Sequence, residues 1–329
     1  MFLDEPIQNS FDFYKLKDKN TVYNVIDLFA GIGGIRLGFK EAFKENSRFV
    51  FSSEIDKFAQ ITYNENFSEL PNGDLTEIDE KDIPEFDILL AGFPCQPFSV
   101  AGLKKGFNDT RGTLFFDIAR IVKHHLPKVV FLENVKGFKG HDKGNTYKTV
   151  KEVLEGFGYS VFAEVLNAKH FGVPQNRERI YIIAFLGAVE NFDFPPPLNI
   201  ETKLGRILKA EVEDKYTISD KLWLGHQRRR EMHRKKGNGF GYSLFDENSV
   251  YTSTISARYY KDGSEILIEQ KNKNPRRLAP REAARLQGFP DNYKIPVSDN
   301  QAYRQFGNSV AIPVIKGLAE KILVQLNTN

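Results

Sequence analysis

A chain of 329 residues, 41% of them hydrophobic, has room for one large domain or two ordinary ones and ample material for a core. Its 46 basic and 43 acidic side chains leave a formal charge of only +3, too little to argue for nucleic acid alone, so the location of the basic residues must decide. A single cysteine excludes an internal disulfide and fits a reducing compartment, no apolar run nears membrane-spanning length, and the polar, acidic opening is unlike a secretory signal, so a soluble cytoplasmic protein is expected.

After the polar opening, Val22 to Phe29 forms an apolar run that predicts a strand and leads into Ala30-Gly31-Ile32-Gly33-Gly34. A helix pattern with Ile35, Leu37, Phe39, Ala42 and Phe43 as packing residues follows, and a second strand, Phe49 to Ser53, ends at Glu54. Strand, glycine turn, helix, strand and acid suit a nucleoside, because glycines let a ligand approach the backbone and a carboxylate at the strand tip can take both ribose hydroxyls. Gly33 and Gly34 are adjacent and the next glycine is Gly38, so the spacing does not support a pyrophosphate cradle, and a plain tight turn is the competing reading.

The pattern repeats with a helix over Lys57 to Asn66, a turn through Pro71, Asn72, Gly73 and Asp74, and an apolar strand that stops at Gly92. Cys95 then falls on a loop restrained by Pro94 and Pro97. Free cysteines are usually buried and inert, but ligands of an open α/β sheet bind outside the carboxyl ends of its strands, which suits a nucleophile here. Val100 to Arg111 is long, glycine-punctuated and basic, the composition of a lid, a binding loop or a disordered segment. A helix over Leu114 to His125 and a strand over Lys128 to Leu132 lead to Glu133-Asn134-Val135; a helix over Thr146 to Gly156 and strands near Tyr159 to Asn167 and Ile180 to Leu186 follow. Such alternation predicts an α/β fold with a doubly wound, Rossmann-like sheet. Gly31 to Gly34, Glu54, Asp74, Cys95 and Glu133 are each expected just past a strand's carboxyl end, converging on one edge.

Phe194-Pro195-Pro196-Pro197 cannot sit in a regular element and marks the expected domain boundary. The division is a first domain over 1–195, completed by a carboxyl-terminal helix from about 305 to 329, and a smaller domain with its hinge over 196–304. In the latter, Gln227 to Lys236 packs Arg228, Arg229, Arg230, Arg234, Lys235 and Lys236 against one acid and runs into Gly237-Asn238-Gly239-Phe240-Gly241-Tyr242. A solvated helix face is the plain reading; the adjoining glycines and aromatics suit a groove that neutralises phosphates. Tyr251 to Tyr260 reads as a strand, Lys261 to Ser264 as a turn and Glu265 to Ile268 as the hairpin partner. Helical patterns return at Pro280 to Gln287, around Gln301 to Val310 and over Pro313 to Leu326. Six scattered histidines and one cysteine give no zinc-type spacing, so no metal is expected.

Taken in order, these strings resemble a bacterial cytosine carbon-5 DNA methyltransferase of the type II restriction-modification kind. DLFAGIGGIRLGF (Asp27 to Phe39) resembles its S-adenosyl-L-methionine motif, GFPCQPFS (Gly92 to Ser99) the nucleophile motif, ENV (Glu133 to Val135) the acid motif and QNRERIYI (Gln175 to Ile182) the arginine motif. RRLAPREAARLQGFP (Arg276 to Pro290) and QAYRQFGNSV (Gln301 to Val310) resemble the two closing motifs. The resemblance implies that Cys95 attacks carbon 6 of cytosine, that Glu133 relieves charge on the ring as a protonated acid, and that Arg179, with Arg177 nearby, orients the ring. It implies that the cofactor lies against Phe29, Gly31, Gly33, Gly34, Glu54, Ile55, Asp74, Pro94 and Asn308, with Phe29 on the adenine, Glu54 on the ribose and Asp74 at the adenine amino group. Many relatives carry an aromatic residue where Ile55 stands.

The target base must leave the duplex to meet a sulfur in a crevice, which would give Val100 to Arg111 the task of closing over it, with Ser99, Lys104, Lys105 and Arg111 near DNA. GNGFGY and TISARYYKDGSEILI are similar to recognition regions for CCGG, CCWGG or CCNGG, methylated at the inner cytosine; Arg258 is the candidate for guanine, and Arg228 and Arg230 for phosphates. The expected partners are double-stranded DNA and a cognate restriction endonuclease, the expected state a monomer, and the opening segment is too short for a helix-turn-helix regulator. A nicotinamide dehydrogenase would explain the sheet but leave Cys95, Glu133 and Arg179 idle; a non-catalytic repressor would explain only the basic region; a transfer-RNA methyltransferase would share the motifs, and the long recognition region favours DNA over it.

Overall fold

Six extended runs build one sheet: β1 (Tyr23–Leu28), β2 (Ser47–Ser53), β3 (Ile88–Gly92), β4 (Val129–Val135), β5 (Tyr159–Asn167) and β6 (Glu178–Leu186), in the spatial order β2-β1-β3-β4-β6-β5. The computed structural model describes residues 21–94, 114–198 and 200–328; Cys95, Ser99, Lys104, Lys105 and Arg111, and with them the expected Val100 to Arg111 loop, lie outside the described residues. β1 to β4 run parallel, whereas β6 is antiparallel to both β4 and β5. The reversal follows from chain length: residues 168–177 between β5 and β6 are fewer than a parallel crossover of about a dozen residues requires. The doubly wound sheet is therefore mixed at one position.

Strict alternation along each strand sends side chains to two separate cores. Val25, Ile88, Leu90, Val129, Phe131 and Ile183 face one side and Ile26, Leu89, Ala91, Val130, Leu132 and Ile182 the other. The first face is covered by α1 (Gly34–Phe43), whose Ile35, Phe39 and Phe43 recur at helical spacing, and by the distant α8 (Ile312–Thr328). These two helices pack so closely that a Cβ on Gly38 would stand 2.6 Å from Cβ of Ile315. The second face is covered by α3 (Leu114–His125) and α4 (Asn145–Gly156). α2 (Lys57–Phe67) begins at Asp56, whose carboxylate accepts from the amides of Phe58 and Ala59 at 2.9 and 3.0 Å.

A third core gathers Leu204, Tyr216, Ile255, Tyr259, Leu278 and Phe306, and joins Ile32 and Ala59 beside the sheet. It is framed by α6 (Pro280–Leu286) and α7 (Asp299–Asn308), with no residue from α5 (Asp220–Lys235), and is braced by the Arg276–Glu282 pair, with Nη1–Oε2 2.7 Å and the Glu282 side chain fully buried. Glu282 also accepts from the amides of Lys209 (2.8 Å) and Ala279 (2.7 Å), so its carboxylate is satisfied on both oxygens.

Two expectations fail here. Tyr251 to Tyr260 is not a strand and does not form a hairpin with Glu265 to Ile268; instead β8 (Leu267–Ile268) pairs in parallel with β7 (Leu244–Phe245). The apolar spacing of Ile255 and Tyr259 reflects docking into the third core, and the backbone around Thr252 is satisfied by Pro174 and Asn176 (Thr252 N to Pro174 O 2.8 Å, Asn176 N to Thr252 O 2.9 Å). Glu133 likewise does not follow its strand: it lies inside β4, opposite Gly92 of β3 and Tyr181 of β6.

Candidate active site

The carboxyl edge of the parallel strands opens into a cleft of about 520 Å³ whose opposite wall is α7. Its lining takes in the turn after β1, Glu54 after β2, Pro94 after β3, Glu133 in β4 and Arg179 in β6. One crevice thus collects residues the sequence scatters across most of its length.

At the β1 end the backbone turns through left-handed conformations at Phe29 (φ 53°), Gly31 (φ 55°) and Gly33 (φ 76°). Gly31 and Gly33 adopt these values without strain, whereas Phe29 holds a value uncommon for a side-chain-bearing residue. Gly31 faces open space, while a Cβ on Gly34 would meet Oγ of Ser309 at 2.6 Å, so α7's end can close on the turn only because residue 34 has no side chain. Glu54 is pinned by two amides, accepting from Gly31 N and Asp56 N at 2.7 Å each. Burial raises its pKa, and these N–H donors oppose the rise. Asp74 reaches the cleft differently from expectation: it follows no strand but sits on a loop stitched to β2 through Asn72 (Asn72 N to Ser52 O 2.8 Å), where it caps Thr76. Ile55 lines the cleft at 68% exposure, and Pro94 and Asn308 are exposed in its wall.

Beneath the turn lies a network that sequence reasoning passed over. Asp27 is buried, accepts from the Tyr63 hydroxyl at 3.3 Å and leaves Oδ1 unpartnered; burial pushes its pKa up to about 8, against the pull of Arg36 and Tyr63. Arg36 continues the network to Glu69 at 2.6 Å and lies between the rings of Phe49 (4.4 Å) and Phe67 (4.5 Å).

At the other end, Glu133 and Arg179 form an ion pair, Oε1 to Nε 3.1 Å, both side chains mostly covered. Burial raises the Glu133 pKa, and the positive charges of Arg179 and Arg177 partly oppose it, so its proton is held more tightly than that of a free carboxyl. Next to it, Asn134 donates to the Phe93 carbonyl at 2.9 Å and so ties β4 to the segment leading into Pro94. Asn134, Arg304 and Gln305 line the same cleft and were not singled out from the sequence. Arg177 lines it too; its two Nη atoms donate to backbone carbonyls, those of Ile255 and Gly307 at 3.1 Å and that of Ser309, while its Nε is buried without a partner among the described residues.

Arg228, Arg229, Arg230 and Arg258 stand apart from the cleft lining. Arg228 is exposed on α5, Arg230 lies over the Tyr242 ring at 4.7 Å, and Arg258 projects from an exposed turn whose amide is held by Ser256 Oγ at 3.1 Å. Arg229 is occupied by Asp262 at 3.1 Å.

A model of the family described as C-5 cytosine-specific DNA methylase matches residues 23–324. The chain belongs to that family. This methylase is similar to type II methyltransferase M1.ScrFI of Lactococcus lactis subsp. cremoris, 62% identical over 309 residues that cover 93% of this chain and 79% of that one. It is also similar to M.NlaX of Neisseria lactamica, 61% identical over 307 residues and covering 93% and 98% of the two chains. Among solved structures, Dnmt2 methyltransferase of S. pombe superposes with a TM-score of 0.77 at 22% identity, covering 93% of this chain and 99% of the other. The Entamoeba histolytica methyltransferase EhMeth gives 0.76 at 24% identity with the same coverage. The methylase is thus an enzyme that transfers methyl groups to carbon 5 of cytosine in DNA, and the family and fold imply S-adenosyl-L-methionine as donor. The cleft fits that donor chemically: a fixed carboxylate at Glu54 matches ribose hydroxyls, Phe29 and Ile55 offer apolar surface, and Gly31 leaves its backbone open to approach. Among the described residues no group of three or more His, Cys, Asp or Glu is placed to hold a metal, and no helix is long and apolar enough to cross a membrane.

Proposed function

We propose that the methylase modifies the inner cytosine of a specific duplex site of the CCGG, CCWGG or CCNGG type and thereby protects DNA from a cognate restriction endonuclease. The observation that carries the chemistry is the Glu133–Arg179 pair at 3.1 Å in the cleft wall beside Pro94, the residue before Cys95. Carbon 5 of cytosine is a poor nucleophile. Addition of the Cys95 thiolate to carbon 6 makes it an enamine, with electron density pushed toward ring nitrogen 3. Glu133, whose pKa burial raises, donates to that nitrogen as the charge develops, and Arg179 holds the carboxyl group in place and stabilises the charge. The bound donor supplies an electrophilic methyl group. Loss of the carbon-5 proton and expulsion of the thiolate then restore the aromatic ring.

Phe29, Gly31, Gly33, Gly34, Glu54, Ile55, Asp74, Pro94 and Asn308 would hold the donor, Glu54 at its ribose and Asp74 at its adenine. Residues 196–304 serve as the target-recognition region with its hinge, and residues 1–195 with the helix from about 305 onward as the catalytic region. Arg228 and Arg230 on α5 suit phosphates, and Arg258 on its exposed turn suits a bidentate contact to guanine. Bisulfite sequencing of treated DNA, with Cys95→Ala as control, tests the reading: one cytosine within a single sequence context is expected to be protected, and undiminished methylation by Cys95→Ala overturns the thiolate route.

A further inference from the structure

Three consecutive residues ahead of β6 hold the segment that carries Arg258. Gln175 accepts from the Ile255 amide at 3.1 Å, the Asn176 carbonyl accepts from Thr254 Oγ1 at 2.6 Å, and Arg177 donates to the Ile255 carbonyl at 3.1 Å. Both backbone groups of Ile255 are thus taken by the side chains of residues 175 and 177. The Arg177 guanidinium also reaches Gly307 and Ser309, the residues flanking Asn308 at the end of α7. Its own backbone is fixed to the end of β5, donating to Asn167 Oδ1 at 3.1 Å and accepting from Ala168 N at 2.9 Å. The junction is tight for a second, independent reason: a Cβ on Gly307 would overlap the carbonyl carbon and oxygen of Ser256 and the amide nitrogen of Ala257.

A buried cation normally sits on an anion. Arg177 is 2% exposed and has three carbonyls as hydrogen-bond acceptors; burial first, and then the like charge of Arg179, disfavours its charged state, and the nearby Glu133 opposes them without a direct hydrogen bond. A planar fork with five donors can span carbonyls from two separate segments, which a single ammonium cannot. Two residues further on, Arg179 pairs with Glu133; three residues beyond Ile255 is Arg258.

We propose that Arg177 is a positioning residue, a latch that fixes the 252–258 segment and the end of α7 to the strand bearing Arg179, so that base reading at Arg258 and the chemistry at Glu133 share one rigid frame. The specificity half of this inference rests on the function proposed above; the mechanical half stands on the contacts alone. In this frame the arginine does not touch the reacting base, and its loss loosens the register between recognition and chemistry.

Arg177→Lys keeps the charge and removes the fork, and Gly307→Ala disturbs the same junction without touching any charge. In amide hydrogen exchange on the full chain, both variants are expected to speed exchange across 252–260 roughly tenfold or more, the scale of a lost charge-assisted hydrogen bond, while β1 and β3 stay as protected as in the parent. In methyl-transfer assays, the ratio of kcat/KM for the cognate duplex to that for duplexes with one altered base pair should fall by a similar factor in both. Uniform loss of kcat on every duplex, with exchange at 252–260 unchanged, overturns the latch and makes Arg177 a group that acts on the base. If Arg177→Lys does not fold, Thr254→Val removes only a rim tie of the same junction; unchanged exchange in both Thr254→Val and Gly307→Ala likewise overturns it. Should Arg258→Ala leave discrimination intact, the assignment of base reading to Arg258 fails while the exchange result still decides the latch.

Discussion

Replacing Glu133 with glutamine keeps the shape of the side chain and removes its proton, which isolates the acid's part in the reaction. The pair it makes with Arg179 is 3.1 Å long and only 11–16% of either side chain is exposed, so little water is at hand to supply the transferable proton that the glutamine amide lacks. General-acid catalysis by a positioned side chain contributes about 10²–10⁴-fold, or roughly 3–5 kcal/mol, and a loss of that size in single-turnover methyl transfer is the expectation for Glu133→Gln. Arg179 loses a charged partner but keeps the Glu178 carbonyl at 2.8 Å, so the stability loss should be about 1–3 kcal/mol, leaving a folded enzyme that still binds donor and DNA. The pH profile supplies a second readout. Burial raises the Glu133 pKa above 4.5, so the protonated, donating form persists to higher pH and the rate should fall as pH climbs through the raised value. Stability carries the same sign: the part contributed by this group is complete below 4.5 and is lost as pH rises through the folded value. In Glu133→Gln that limb of the rate profile should vanish. A variant transferring methyl groups within about threefold of the parent, with the descending limb intact, would falsify the acid assignment.

Asp27→Asn removes a carboxyl pushed up from 3.8 to about 8, which amounts to roughly 5–6 kcal/mol of stability present below 3.8 and lost as pH rises toward 8; urea melts at pH 5 and pH 8 should show the variant gaining on the parent, and a constant difference refutes it. Ile55→Trp restores an aromatic face at a position 68% exposed in the cleft and should tighten donor binding by about 0.5–1.5 kcal/mol in calorimetry; unchanged affinity means that residue 55 does not face the adenine. Glu282→Ala strands Arg276 and the amides of Lys209 and Ala279, and should lower unfolding free energy by about 3–5 kcal/mol in denaturant titration; a loss under about 1 kcal/mol would show that water replaces the carboxylate.

Most of the sheet was legible because each strand carries a continuous or alternating apolar run, and α3 matched its predicted limits of Leu114 and His125. Reversal of β6 was legible in principle from the short 168–177 connection, although alternation alone suggests a uniform sheet. Glu133 looked like a loop residue because a carboxylate rarely continues a buried strand; it does so here because Gly92 stands opposite and Arg179 meets its charge. The Tyr251 to Tyr260 segment misled for a different reason. Its period reflects anchoring of Ile255 and Tyr259 in a core, and its backbone partners are the side chains of Gln175 and Arg177, which no local pattern reveals. Motif resemblance located Glu54, Asp74 and Arg179 in the cleft, while Asp27, Asn134 and Gln305 emerged only when distant elements were seen to meet.

The cover that α8 gives to one face of the sheet sets a timetable for synthesis. A ribosome that has finished β6 has made every strand of that sheet, yet Val25, Leu90 and Ile183 still await Val314, Ile315 and Leu318, encoded more than a hundred codons downstream. Until then the nascent polypeptide carries that greasy surface unshielded, the kind of exposure that makes folding intermediates aggregation-prone. The sheet is sealed, and the cleft at its edge complete, only once α8 has emerged from the exit tunnel.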